Sequence, residues 1–169
     1  MAFFLYLLSI FKTKNMKKLI LICLTMFFLI GCNSDEIVID GFNYDAILNI
    51  SVLNSNGDDL LNPDNSNAID QSKIKILYLV KGKLIQEPNG TDHPRNFMIY
   101  KQDGLNIIRV FLNSSPEEQY PQTYIQWSEN NTDIIKIEYN RTSNSVTKKT
   151  IWLNDKLVSD IEPYLKVIK

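Results

Sequence analysis

Residues 73–81 read KIKILYLVK, and residues 135–140 read IKIEYN. In both stretches apolar and polar side chains alternate, so that Ile74, Ile76 and Tyr78 fall on one side of an extended chain and the lysines fall on the other. Successive side chains of a β-strand point to opposite faces. This period of two therefore predicts strands with one buried face and one solvated face.

The same alternation, or short apolar runs between turn residues, predicts strands along most of the chain. They are expected near residues 46–52, 84–86, 96–101, 105–112, 123–127, 146–153, 156–158 and 164–168. No stretch shows the hydrophobic period of 3.6 residues that is typical of an amphipathic helix. This excludes α/β architectures, because their parallel strands are connected by crossover helices. The sequence predicts a mostly β domain: an antiparallel β-sandwich of about eight strands or, alternatively, a small β-barrel.

One short helix is expected after the long apolar strand. Ser115-Pro116-Glu117-Glu118 offers a capping serine, a proline at the first helical position and a glutamate three residues after the serine. Pro121 should end this helix after one turn.

The composition fits one globular domain. The 169 residues are 44% hydrophobic, 22% charged and 11% aromatic, which is typical neither of disordered nor of fibrous chains. The net charge of −1 argues against a nucleic-acid partner held through phosphate contacts. One histidine and two cysteines leave little material for thiol, zinc or triad chemistry.

The first 31 residues differ in charge from the rest. They hold four lysines and no acidic residue, whereas the remaining chain holds all 19. Met16-Lys17-Lys18 precedes the apolar run Leu19–Ile30, the layout of a secretory signal, and this run is shorter than the roughly 20 residues of a membrane-spanning helix. We predict a signal peptide over residues 1–31. Because another apolar run, Ala2–Phe11, precedes this layout, the start is expected at Met16, the alternative being a doubly hydrophobic leader.

The end of this segment, Leu29-Ile30-Gly31-Cys32, resembles the lipobox of bacterial lipoproteins. The resemblance implies cleavage before Cys32, a diacylglycerol on its thiol and acylation of the new amino group, with palmitate as a typical chain. Several acyl chains anchor a protein stably to a membrane, whereas a single chain gives only marginal membrane binding. Asn33-Ser34-Asp35-Glu36 resembles the acidic export signal of surface lipoproteins of Bacteroidota, and a plain solvated linker is the alternative. The implied location is the outer membrane or cell surface.

Three parts are therefore predicted: the signal peptide, a lipidated acidic tether over residues 32–45 and one β-rich domain over residues 46–169. Cys23 leaves with the signal and Cys32 is acylated, so no thiol remains for a disulfide, a metal or a nucleophile. The stretch Gly57-Asp58-Asp59-Leu60-Leu61-Asn62-Pro63 resembles a sequence motif of small lipoproteins of Bacteroidota. This resemblance implies no catalytic or binding chemistry. Its alternative is a loop whose two leucines fill the edge of the sandwich.

Few residues show the pattern of a catalytic centre. His93 lies in a polar loop, and no nucleophile-elbow motif accompanies it. Glycoside hydrolysis needs two carboxylates about 5–9.5 Å apart. The candidates are Glu117, Glu118, Glu129 and Glu138. Helix capping explains the first two, and alternation beside Lys136 places the last on a solvated face or in a cross-strand ion pair. We predict no catalytic residue and no cofactor.

The loop Asp58–Asp70 and the residues before it are rich in the oxygen ligands that calcium prefers. These residues are Asn54, Asn56, Asp58, Asp59, Asp64 and Asp70. The EF-hand spacing fails, since from Asn54 onward the glycine position holds Asp59 and the final glutamate position holds Asn65. Asn and Asp are common in turns without a metal, so no metal site is predicted, and calcium at this loop stays the alternative.

Aromatic side chains are the remaining signal in the second half of the chain. They are Tyr120, Tyr124, Trp127, Tyr139 and Trp152. Most should fill the core, but Ile125 and Trp127 share one strand face, so Tyr124 is expected on the opposite face. Exposed Tyr and Trp side chains stack on sugars or anchor protein partners.

The sequence thus predicts an envelope protein attached to the membrane through a lipid on Cys32. Binding is favoured over catalysis: the expected role is a binding or interaction module for an unknown protein or glycan, and no nucleic acid is expected to bind. Two alternatives stay open, a small carboxylate-dependent hydrolase or carbohydrate-active protein and a structural component of a surface assembly. The sequence does not decide between a periplasmic and a surface-facing orientation.

Overall fold

The structure, a computed structural model, describes residues 41–86 and 92–169. These residues form eleven strands, one three-residue 3-10 turn (Gln71–Lys73) and no α-helix. The strands are β1 (Asn43–Tyr44), β2 (Ile47–Leu53), β3 (Lys75–Val80), β4 (Lys83–Ile85), β5 (Phe97–Gln102), β6 (Leu105–Phe111), β7 (Gln122–Ser128), β8 (Asn131–Arg141), β9 (Ser145–Leu153), β10 (Lys156–Val158) and β11 (Leu165–Ile168). The predicted signal peptide and Cys32 lie outside the described residues.

The described strands form two sheets. Seven strands make one sheet in the order β1-β9-β8-β7-β3-β4, with β10 also paired to β9. The other four follow the order β11-β2-β6-β5. One sheet curls into half a barrel, and side chains from both sheets form one hydrophobic cluster. The predicted fold class, a β-sandwich or barrel-like domain, is confirmed.

Two edge pairings are parallel, while the other pairings are antiparallel as predicted. β1 lies parallel to β9, and β11 lies parallel to β2. Neither pair uses a crossover helix, because the partners are far apart in sequence and other strands of the domain form the connection. The rule that links parallel strands to helices applies to neighbours in sequence, not to such distant pairs.

The core follows the alternation seen in the sequence. In β3, Ile76 is buried and Tyr78 packs against the core, while Lys75 is exposed. In β8, Ile135 and Ile137 are fully buried. Isoleucines dominate the largest fully buried side chains, as expected from the fit of β-branched residues to pleated sheets. The described residues form one compact unit that contains every member of this core.

The helix predicted at Ser115 is wrong, since the chain makes only a turn there. The N–H of Glu118 donates to the carbonyl oxygen of Ser115 at 3.4 Å, but no helix follows. A capping box needs the Glu118 carboxylate at the N–H of Ser115. Instead that carboxylate accepts from the N–H of Lys81 at 3.2 Å, and the N–H of Ser115 donates to Asn113 Oδ1 at 3.1 Å. Bonds to other parts of the fold therefore replace the local cap.

The loop after β2 fills one edge of the sandwich with two leucines, as the alternative interpretation predicted. Leu61 is fully buried, and Leu60 is 7% exposed. Asp59 fastens this loop to β6, because its Oδ2 accepts from both the backbone N–H (2.8 Å) and the side-chain amide (2.7 Å) of Asn106. The loop is therefore part of the core rather than a free appendage.

We predict that Leu61→Ala lowers the free energy of unfolding by about 2–5 kcal/mol, because it leaves a cavity in the core. Urea unfolding of the segment Ser34–Lys169 measures the change. Leu84→Ala is the matched control, since Leu84 is 49% exposed and its truncation should cost less than about 0.5 kcal/mol. Equal losses in the two variants would contradict the buried position of Leu61.

Candidate functional site

A cleft opens where β2 begins and where β3 and β6 end. Its volume is about 440 Å³, within the range of about 300–1,000 Å³ typical of small-molecule sites. Residues of both sheets line it, among them Tyr44, Ile47, Tyr78, Val80, Phe111 and Ser114. No acidic side chain of the described residues belongs to this lining.

Asn113 fixes the wall of the cleft where the chain passes from one sheet to the other. Its side-chain amide donates to the carbonyl oxygens of Leu79 at 3.0 Å and Gln122 at 3.3 Å, and its backbone N–H donates to Thr123 Oγ1 at 2.8 Å. These partners belong to the seven-stranded sheet, whereas Asn113 follows β6 of the other sheet. Since an unpaired buried amide is costly, these hydrogen bonds hold the crossover in one position.

Two tyrosine hydroxyls also bridge the sheets beside the cleft. Tyr78 donates to the carbonyl oxygen of Phe111 at 3.0 Å, and Tyr139 donates to that of Asn113 at 3.2 Å. Burial raises the pKa of both phenols above the ordinary tyrosine value. Both groups therefore stay neutral donors at neutral pH.

The mouth of the cleft carries exposed aromatic rings and one cation. Tyr44 is 57% exposed, its hydroxyl is hydrogen-bonded to Ser114 Oγ, and its ring lies 6.3 Å from that of the equally exposed Phe42. Arg141 Nη2 donates to the carbonyl oxygens of Ser114 at 3.0 Å and Ser115 at 3.2 Å. The guanidinium is therefore held at the rim.

The structure does not gather the predicted carboxylates into a common site. Glu138 accepts from Lys149 at 2.7 Å and Thr150 at 3.0 Å on the neighbouring strand, and these bonds lower its pKa. This is the cross-strand ion pair that the alternation indicated. Glu117 lies 3.0 Å from the Lys81 ammonium, and Glu129 is exposed in the turn between β7 and β8.

His93 lies next to the cleft lining. Its ring stacks on the ring of Phe111 with 5.6 Å between centroids. Ser114 is the serine of the cleft lining that is nearest in the chain to Phe111. Its hydroxyl is hydrogen-bonded to the hydroxyl of Tyr44 and not to the His93 imidazole. Nucleophilic catalysis by serine needs a hydrogen-bonded base, so the described contacts do not form a triad.

The oxygen-rich loop uses its side chains for turns. Asn54 Oδ1 accepts from the backbone N–H groups of Asn56 and Asp58, both at 2.9 Å, and Asp70 Oδ1 accepts from that of Ser72 at 3.0 Å. Such bonds explain the composition without a metal. Within residues 41–86 and 92–169, no group of three or more His, Cys, Asp or Glu is placed to hold a metal ion.

The predicted aromatics fall into two groups. Trp127 is 1% exposed in the core, and Tyr139 packs against the core. Tyr124 lies on the opposite strand face from Trp127, as predicted, and is half-buried. Tyr120 and Trp152 meet edge to face at 5.9 Å outside the core. None of these five residues lines the cleft.

A buried carboxylate network lies where β7 and β11 end. Asp133 Oδ2 accepts from Trp127 Nε1 at 2.7 Å and from Lys169 Nζ at 2.6 Å, while Oδ1 accepts from Asn154 at 2.8 Å. Burial alone would raise the pKa of Asp133, but the hydrogen bonds from Lys169, Asn154 and Trp127 outweigh it and lower the pKa. The network ties both sheets together, because Lys169 N also donates to the carbonyl oxygen of Leu53 at 2.9 Å.

Sequence reasoning missed the cleft. Its lining comes from three segments that are far apart in the chain: the start of the domain at β1 and β2, the end of β3, and the end of β6 with the residues that follow it. The one local signal was Asn113, a polar residue that directly follows the long apolar strand and precedes Ser-Ser-Pro.

No family model, curated protein or solved structure matches the chain. In the part of the chain that the structure describes, no helix has the length and apolar character needed to cross a membrane.

We predict that Asp133→Asn flattens the acid limb of the stability curve. Because the pKa of Asp133 is lower in the folded than in the unfolded chain, the ionised carboxylate contributes stability that is complete above the unfolded value of about 3.9. That contribution is lost as the pH falls through the folded value. Urea unfolding followed by tryptophan fluorescence, from pH 7 down to pH 2, should show a steeper loss in the wild type than in the variant.

Asp64→Asn removes one exposed loop carboxylate and is the matched control for this measurement. Parallel stability curves for the wild type and Asp133→Asn would contradict the role assigned to the network.

Proposed function

We propose that the protein is a binding module of the bacterial cell envelope, anchored to the membrane through a lipid on Cys32, and that its cleft binds a small, mostly apolar ligand. The observation that carries the proposal is the cleft, with its volume of about 440 Å³ and its walls of aromatic and aliphatic side chains. Binding sites of this kind combine apolar walls with a few well-placed polar groups.

The chemistry of the lining selects the ligand. Ile47, Val80 and Phe111 present apolar surface, and burial of apolar area favours association by about 25 cal/mol per Å². The Tyr78 hydroxyl is already bonded to a backbone carbonyl, so its ring and not its hydroxyl is offered to a ligand. Polar groups are concentrated at the mouth, around Ser114. A ligand would place its apolar part inside and its polar part at the mouth.

Catalysis by paired carboxylates has less support than binding. Glu117 and Glu138 are each ion-paired with a lysine outside the cleft, and the described lining holds no acidic side chain. An acid–base mechanism needs such groups within hydrogen-bond reach of a bound substrate. The cleft therefore favours a binding role over hydrolysis.

A second candidate is contact with a protein of a surface assembly through the outer face of the seven-stranded sheet. Leu157 is 67% exposed and pairs across the strands with Trp152, which Tyr120 contacts edge-on. Exposed apolar and aromatic side chains that lie side by side are typical of interaction surfaces. The cleft remains the first candidate because it is concave and encloses a ligand-sized volume.

The anchor is tested by metabolic labelling with a radioactive fatty acid in a bacterial host. The wild-type chain should take up label and sediment with membranes, whereas Cys32→Ser should do neither. Cys23→Ser is the matched control, since Cys23 is expected to leave with the signal peptide, and it should label like the wild type. Equal labelling of Cys32→Ser and the wild type would contradict the proposed anchor.

Binding at the cleft is tested with N-phenyl-1-naphthylamine, an uncharged apolar dye that fluoresces in apolar sites. The segment Ser34–Lys169, first shown to be β-rich by circular dichroism, should bind the dye. Val80→Trp should weaken this binding at least about tenfold, because the larger side chain occupies the cleft. The matched control is Val158→Trp, which alters a half-buried valine outside the cleft and should bind like the wild type. Absence of dye binding by the wild type, or unchanged binding by Val80→Trp, would refute the proposal.

A further inference from the structure

Arg141 is held at the mouth of the cleft without an acidic partner among the described residues. Among the described residues, the hydrogen-bond partners of its side chain are the carbonyl oxygens of Ser114 and Ser115, two residues of the cleft lining, and both accept from Nη2. Its guanidinium carbon lies 5.0 Å from the centre of the Tyr139 ring, which supports it from one side. A guanidinium has five N–H donors, so the N–H groups of Nε and Nη1 remain available for hydrogen bonds to a ligand.

Two acidic residues close in the chain to the cleft lining, Asp45 and Glu117, are engaged with lysines. Asp45 is ion-paired with Lys148, and Glu117 lies 3.0 Å from the Lys81 ammonium. The guanidinium is exposed, and its charge is not neutralised by a carboxylate of the described residues. An exposed arginine held in place in this way is suited to the two oxygens of a carboxylate or phosphate group.

The mouth also lies close to the proposed anchor in the sequence. Gly41 lies nine positions after Cys32, and a fully extended chain spans at most about 3.3–3.6 Å per residue, or about 30 Å over this stretch. The exposed rings of Phe42 and Tyr44 follow directly. Tyrosine and other aromatic rings favour the boundary between lipid and water. An acylated Cys32 would thus keep the mouth within reach of the bilayer surface.

From these contacts we infer that the cleft binds the acyl chain of an anionic amphiphile, whose carboxylate or phosphate head is held at the mouth by Arg141. This inference rests on the proposed binding at the cleft and names its ligand class. The apolar walls at Ile47, Val80 and Phe111 take the hydrocarbon chain. The shared chemistry, an acyl chain attached to an anionic head, comes either from a free fatty acid or from an anionic phospholipid of the membrane, which would place one of its two chains in the cleft.

The test is displacement of N-phenyl-1-naphthylamine from the segment Ser34–Lys169 by dodecanoate and by dodecanol, which has the same chain but no charge. The wild type should prefer dodecanoate by about tenfold, because charge-assisted hydrogen bonds form only with the carboxylate. Arg141→Gln should still bind the dye and dodecanol but lose this preference. Arg109→Gln, which alters an arginine bonded to Asn49 on the other sheet, is the matched control and should keep it.

The outcomes separate the two proposals. No dye binding by the wild type overturns the proposed function itself. Dye binding with equal affinities for dodecanoate and dodecanol, or a preference that survives in Arg141→Gln, overturns only the anionic ligand. If Arg141→Gln no longer binds the dye, Arg141→Lys is used in its place. The preference of Arg141→Lys for dodecanoate over dodecanol should be about threefold smaller than that of the wild type, because an ammonium cannot donate the two parallel hydrogen bonds of a guanidinium. An unchanged preference overturns the inference.

A second arm identifies the source of the ligand. Displacement of the dye by dodecanoate but not by phosphatidylglycerol supports a free fatty acid, and displacement by both supports a membrane phospholipid. Phosphatidylcholine, which carries no net charge, is the control lipid for the head group. Displacement by neither anionic compound overturns the inference.

Discussion

The Asn113 amide is the contact on which the shape of the cleft depends. It lies where the chain leaves the four-stranded sheet, and it donates to carbonyl oxygens of two strands in the other sheet. The hydroxyls of Tyr78 and Tyr139 add two further links to the same crossover. A buried donor that is left unpaired costs more stability than a paired one contributes. Arrangements of the wall that break these hydrogen bonds are therefore disfavoured, and the bonds hold the wall in one arrangement. The cleft is therefore a property of the fold and not of a loose loop.

The opposite ends of the same strands are closed. Leu60 and Leu61 fill the edge there, and Lys169 reaches from the end of β11 to the buried Asp133 carboxylate of the other sheet. The core between is packed mainly with isoleucine. A surface cleft of about 440 Å³ at the other end, with a cation fixed at its mouth, has the size and the mixed character typical of ligand sites. The proposed binding of an amphiphile uses both the apolar walls and the cation at the mouth.

The sequence predicted the features that depend on local alternation. The strands from β2 to β11, the position of Tyr124 on the strand face opposite Trp127, the pairing of Glu138 across strands and the filling role of Leu60-Leu61 all follow from side-chain periodicity or hydrophobicity. The strand β1 was not predicted, since Asn43–Tyr44 fall in the stretch interpreted as a tether. The helix at Ser115 was wrong because the carboxylate of Glu118 bonds to Lys81, a partner 37 residues away that no local pattern indicates. The cleft was missed for the same reason. The side chains of Asn113 and Arg141 donate to backbone carbonyls, and because every residue has one, the sequence does not indicate which carbonyls they are.

The most direct test of the account is a methyl NMR titration of the segment Ser34–Lys169, labelled at isoleucine, leucine and valine methyl groups, with dodecanoate. The account predicts that resonances of Ile47 and Val80 shift with saturation, while those of Leu157 on the outer face and of Leu61 at the closed end of the sandwich do not. Shifts confined to Leu157 and Leu84 would contradict the cleft as the binding site and favour the outer face of the seven-stranded sheet. The absence of any saturable shift would contradict the binding function itself.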